Sequence, residues 1–227
     1  GRHHKNVAAT LCNLGDAVMA LGDANRAREL YERALVIEER EYGPDHRNVV
    51  ATLQRLGSAL CDLGDANRAR ALCERALTIA EREYGRGHAT VAITLTNLGK
   101  AFRKLGNADR ARELCERALA IQERVYGKDH EEVATVLSTL GENYKTGAYS
   151  EYQKARELQE RALMTMECTY GKDNLKVAHV LEALGHTHRE LGNPVQAREL
   201  YERHLMIKGR IYGKDHKHLV DSRLALW

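Results

Sequence analysis

The chain has 227 residues, with 35 Lys+Arg against 32 Asp+Glu and a formal charge of only +3. An apolar share of 43% beside a charged share of 30% is enough to fold and excludes a disordered polyampholyte. One Phe, one Trp and two Pro exclude a loop-rich or all-β protein and leave Leu, Ala, Val and Ile to build the core.

From its first residues the chain is repetitive. Gly1-Arg2-His3-His4-Lys5-Asn6-Val7 aligns with Gly43-Pro44-Asp45-His46-Arg47-Asn48-Val49, and residues 1–42 and 43–84 share 28 identities. Tyr-Gly recurs at Tyr42-Gly43, Tyr84-Gly85, Tyr126-Gly127, Tyr170-Gly171 and Tyr212-Gly213, at intervals of 42, 42, 44 and 42 residues. Leu-Gly keeps the same register, ending on Gly15, Gly57, Gly99, Gly141 and Gly185. Residues 1–227 therefore read as a single array of five copies, 1–42, 43–84, 85–126, 127–170 and 171–212, with 213–227 a partial sixth repeat or a capping helix. Arg223 stands there where every full copy has Leu. The start inside a turn suggests a fragment of a longer array.

Each copy predicts two helices. In the second copy Val50, Leu53, Leu56, Gly57 and Leu60 repeat at three- and four-residue spacing along one face. Gly64 ends that helix and Asp65 is placed to cap the next, as are Asp23, Asn107 and Asn193. The second helix puts Ala69, Leu72, Cys73, Ala76 and Ile79 on its stripe. Glu29/Arg33, Glu113/Arg117, Glu157/Arg161 and Glu199/Arg203 lie four apart and predict ion pairs within each helix. Neither stripe can be buried by its own copy, so stacking of copies must complete the core. Gly57 and Ala76, with equivalents in every copy except His204 in the last, predict axes about 8–10 Å apart. A bulky residue at Gly99 or Ala118 is expected to overpack the interface. Between Gly141 and Ala155 the fourth copy has two extra residues. These read as a tolerated loop insertion, with Tyr149 and Tyr152 either replacing lost packing or forming an exposed edge.

Several chemistries find no support. No apolar run reaches the ~18 residues that cross a bilayer, and no secretory leader pattern opens the chain. Five cysteines (Cys12, Cys61, Cys73, Cys115 and Cys168) form no C-x-x-C pair, which points to a reducing, cytoplasmic setting. Cations interspersed with anions argue against nucleic acid as a partner, and nothing argues for a membrane. Phosphate-loop and nucleophile-elbow motifs are absent, so no catalytic residue, no cofactor and no enzyme activity are expected. His46, His88, His130 and His216 recur once per repeat in the same turn and read as turn or helix-start groups, too far apart to share an ion. His179, Glu182 and His186 fall on one helix face and are a weak metal candidate beside a solvated polar face.

The spacing carried by Leu11, Leu14, Gly15, Val18, Ala27, Tyr31 and Ala34 resembles the tetratricopeptide repeat. The 42-residue period and the Tyr-Gly-x-Asp-His turn are similar to its kinesin-light-chain subgroup, with departures at Gly87 and Asn174. The resemblance implies an all-α fold, an α-solenoid in which antiparallel helix pairs wind into a right-handed superhelix. It also implies a concave groove lined by first helices, where a protein or peptide partner lies. Carried onto this chain, groove-facing positions include Cys12, Asn13 and Asp16; Gln54, Arg55 and Ser58; Thr96, Asn97, Lys100 and Arg103; Ser138, Thr139, Glu142 and Lys145; and His179, Glu182, His186 and Arg189. Asn13 and Asn97 match the Asn that holds a peptide backbone, and Arg55, Lys100, Arg103 and Lys104 favour an acidic segment. The reading is a non-catalytic interaction scaffold; its rival is a spacer or sensor arm of a larger signalling protein, such as an NTPase-linked array. Uncapped end faces would also favour end-to-end self-association.

Overall fold

The computed structural model describes residues 2–145 and 149–212. Ten helices follow in order: α1 (Arg2–Ala20), α2 (Ala24–Tyr42), α3 (Val50–Asp62), α4 (Ala66–Tyr84), α5 (Ala89–Lys104), α6 (Ala108–Tyr126), α7 (Glu131–Asn143), α8 (Tyr149–Tyr170), α9 (Leu175–Glu190) and α10 (Pro194–Tyr212). A single 3-10 turn, Arg47–Val49, precedes α3. No strand occurs among the described residues, and the protein is an all-α repeat array. The expected sixth repeat or cap over 213–227, with His216, lies outside the described residues.

The chain forms two compact units, Gly1–Ile121 and Gln122–Trp227. In the first, each of α1 to α4 packs on the helix that follows it, and α3 also touches α1 and α5. In the second, α7 to α10 pack in the same consecutive way, with α7 also touching α9. The stripes are buried as their spacing requires: Leu53, Leu60, Ile79, Leu95, Leu137 and Leu181 are among the fully buried side chains. Leu14 is 48% exposed, whereas Leu56, Leu98, Leu140 and Leu184 in the same register are only 2–3% exposed. Among the described residues helix α1 packs on α2 and α3, so one side of its stripe stays open in this chain.

Local chemistry sets the helix ends. Gly64 adopts φ +84° between α3 and α4, a conformation that is costly for residues with a Cβ. Asp65 then accepts a hydrogen bond from the Arg68 amide at 3.3 Å. Between copies, His88 Nδ1 accepts from the Thr90 amide at 3.2 Å, and its ring stacks on Tyr84 with centroids 4.9 Å apart. His46 and His130 repeat both contacts, on Tyr42 and Tyr126. Where the fifth copy has Asn174, its Oδ1 accepts from the Lys176 amide at 2.9 Å. His46, His88 and His130 are thus helix caps.

Ion pairs four apart do form within helices, as in Arg70–Glu74, Arg156–Glu160 and Arg198–Glu202, but Arg117, Arg161 and Arg203, expected to pair within their own helices, reach across copies. Arg75 reaches Glu39 at 2.7 Å, and Arg117 reaches Glu81. Arg161 reaches Glu123 at 2.9 Å, and Arg203 reaches Glu167. Each joins the second helices of consecutive copies. Arg161 and Arg203 also donate to the turn carbonyls of Lys128 and Lys172, both at 3.0 Å. A guanidinium has several forked donors, so one side chain can hold a carboxylate and a carbonyl together. The extra residues of the fourth copy are partly helical: α8 starts at Tyr149 and runs 22 residues, against 19 for α2, α4, α6 and α10.

Candidate interaction surface

The first helices carry the residues that vary between copies. In the first unit these lie on α1, α3 and α5, whose small Gly57 lets the partner helix approach: a methyl built there would stand 2.7 Å from Cys73 Sγ.

Four positions expected to face a groove are interior instead. Cys12 is buried, with Sγ 3.3 Å from Thr52 Oγ1 of α3. Gln54 is 8% exposed; its Nε2 donates to Thr94 Oγ1 at 2.6 Å and to the Thr90 carbonyl at 3.0 Å, stitching α3 to α5. Thr96 and Thr139 are buried and return their hydroxyls to the carbonyls of Ala92 and Thr135, at 2.9 and 3.1 Å. The residue three before the helix glycine thus faces the adjacent copy in α1 and α3, a polar contact that apolar periodicity does not reveal.

The surface itself is partly prepaired. Arg55 Nε lies 3.0 and 3.1 Å from the two carboxylate oxygens of Asp16, while Tyr31 Oη donates to the same carboxylate at 2.8 Å. Burial and this carboxylate raise the phenol's pKa. Arg55 is therefore tied to α1, not held apart for a ligand. Asn97 is half-buried and donates through Nδ2 to the Gln54 carbonyl at 3.3 Å. Asn13 is exposed. Lys100, Arg103 and Lys104 occupy the last turns of α5, where cations suit the helix C-terminus. All three act on Cys61 of α3, opposing the burial that raises its thiol pKa, and Asp62 acts in the opposite sense to these cations. Burial pushes the Cys73 thiol up to about 12, so it stays protonated and a poor nucleophile.

In the second unit the signs are mixed. Lys145 Nζ donates to the Ala183 carbonyl at 3.0 Å, joining the turn after α7 to α9. Ser138 and Glu142 are half-buried on α7, as are Glu182 and His186 on α9, while His179 is exposed. His186 meets Tyr201 edge-on at 5.3 Å, and burial, then Lys145 and Arg189, lower its pKa. Among the described residues no three His, Cys, Asp or Glu side chains are placed to hold a metal ion; His179, Glu182 and His186 are not brought together as one. They sit on successive turns of α9, and His186 turns to the aromatic ring.

The tetratricopeptide repeat profile matches residues 6–70, 49–114, 90–163 and 148–208. The chain belongs to the tetratricopeptide repeat family. Such repeats generally mediate protein–protein interaction, and proteins of this kind are typically non-catalytic scaffolds. Among solved structures, the chain is similar to BtubC (BKLC) from P. vanneervenii, at 22% identity over 92% of this chain and 83% of that one, TM-score 0.66. It is similar also to the nearly identical TPR-like repeats of a Podosopora anserina protein described as a kinesin light chain, at 21% identity over 93% and 99%, TM-score 0.62. A variant form of the latter aligns at 22% identity over 92% and 97%, TM-score 0.63. At these identities the likeness is one of fold, kinesin light chain-like. No curated protein sequence matches the chain. No described helix is long and apolar enough to cross a membrane.

Proposed function

We propose that residues 1–227 act as one non-catalytic array inside the cell, whose first helices bind an extended, acidic segment of a protein partner. The observation that carries this reading is the cationic cluster of Lys100, Arg103 and Lys104 at the end of α5. Exposed Asn13 on α1 and half-buried Asn97 on α5 are further polar positions on first helices of the same unit. Glu142, Glu182 and His186 would give the second unit a different preference along the partner. Arg55 enters only by exchanging Asp16 for a ligand carboxylate, so its contribution is smaller than that of Lys100 or Arg103.

A second reading is favoured by a specific observation. Asp16, Arg55, Gln54 and Asn97 bond to one another's helices across copies, as they would in a spacer or sensor arm of a larger signalling protein. Fluorescence anisotropy with labelled acidic and charge-scrambled peptides separates the two. The binding reading expects salt-sensitive affinity for acidic peptides, lost by about tenfold or more in Lys100→Glu/Arg103→Glu. Unchanged binding in that variant would leave the spacer reading.

A further inference from the structure

In the first unit, away from the Lys100 cluster, the starts of α1's buried stripe and of α3 meet the ends of α2 and α4 around a cavity of about 360 Å³. Its lining includes the carboxylates of Glu38 and Glu41, the rings of Tyr42 and Tyr84, and alanine methyls of α1 and α3; among the described residues, Arg47 is the one cation in the lining. Position 38 is unusual within the repeat. The same register holds Ala80, Gln122 and Met166, all buried and none acidic, and Lys208 in the last copy. Glu38 is half-buried, its Oε2 has no hydrogen-bond partner, and burial raises its pKa despite Thr52 and Arg55 nearby. A carboxylate placed where three other copies have neutral, buried side chains is costly unless a positive group compensates it.

We propose that this cavity binds the guanidinium or ammonium group of an Arg or Lys side chain on a polypeptide partner, held by Glu38 and Glu41 against the Tyr42 and Tyr84 rings. The second unit already displays this chemistry within the chain. Tyr170 is the repeat-end tyrosine equivalent to Tyr42 and Tyr84, and in the copy that lacks the capping His its ring carries Lys176 Nζ, 4.1 Å from the centroid. Glu131 Oε2 lies 3.5 Å from the same ammonium. A cation on a repeat-end tyrosine beside a carboxylate is therefore an arrangement this sequence forms by itself. In the first unit the capping His46 and His88 already stack on the Tyr42 and Tyr84 rings, so there the cation would meet what those rings leave uncovered, beside the two carboxylates.

The site is distinct from the Lys100 face and opposite in charge, so either can fail without the other. The test is a nuclear magnetic resonance titration of the full isotope-labelled chain with acetyl-Gly-Arg-Gly-amide and with its citrulline counterpart, which is isosteric and neutral. The arginine peptide is expected to shift the amides of Asn48 and Ala51 saturably, while citrulline binds at least about tenfold more weakly. Glu38→Gln, the residue found at position 122 in the same register, is expected to weaken arginine binding by a similar factor, and Lys100→Glu to leave it unchanged. Equal binding of the two peptides, which needs no variant to fold, would overturn the proposal. So would undiminished arginine binding in a folded Glu38→Gln chain, or no shift at the cavity amides at millimolar peptide.

Discussion

A methyl built on Gly185 would stand 2.8 Å from Tyr201 Cε1, inside any ordinary van der Waals separation, so this glycine is there for the closeness of two helices. Gly185→Ala is expected to cost about 1–3 kcal/mol by overpacking against a rigid ring, measured as a lower denaturation midpoint at unchanged slope. His204 carries a different residue-scale prediction. It replaces the Ala of earlier copies, is 2% exposed, and its Nδ1 donates to the Ala178 carbonyl at 2.8 Å. Burial lowers its pKa, against that carbonyl and Glu182, so folding favours the neutral ring. With the folded pKa below the unfolded value of about 6.5, its contribution is complete above that value and is lost as pH falls through the folded pKa. His186 and His188 are shifted in the same direction by burial. Thermal melts should therefore show stability falling from pH 7.5 to 5, and His204→Ala should flatten that dependence. An unchanged slope would assign the acid sensitivity elsewhere.

At the scale of elements, the turn between copies is the recurring device. One His accepts a backbone amide and lies on a tyrosine ring, and Asn174 shows that the cap survives without the imidazole. His88→Ala is expected to cost about 1 kcal/mol, whereas His88→Asn should retain most of that stability; equal losses would show that ring stacking, not the cap, matters. The helices, their caps and their buried stripes were legible in the sequence because apolar spacing and turn residues act locally. The polar partners were not. Arg161 has Glu157 four residues away yet pairs with Glu123, because a long guanidinium reaches the neighbouring helix and a turn carbonyl as well. Gln54 and Thr96 read as surface polar groups. Their burial depends on the angle between successive copies, which periodicity along one helix does not encode.

For the whole molecule, repetition itself is the informative signal. Five near-copies of one helix pair identify the family, and differences among first helices are the ground for the partner surface proposed above. Sequence comparison between copies found the variable face but overestimated how much of it is free: Arg55 is held by Asp16, and Cys12 is interior. The claim beneath all of this is that no copy has a core of its own: Leu53, Leu60 and Ile79 are fully buried in a unit where α3 packs on α2 and α5 as well as on α4, and α4 packs on α5. Circular dichroism of a synthetic peptide spanning residues 43–84 tests it most directly. The account predicts weak helicity and no cooperative melt in dilute buffer, while the full chain melts cooperatively. A sharp, concentration-independent unfolding transition in the isolated copy would contradict it.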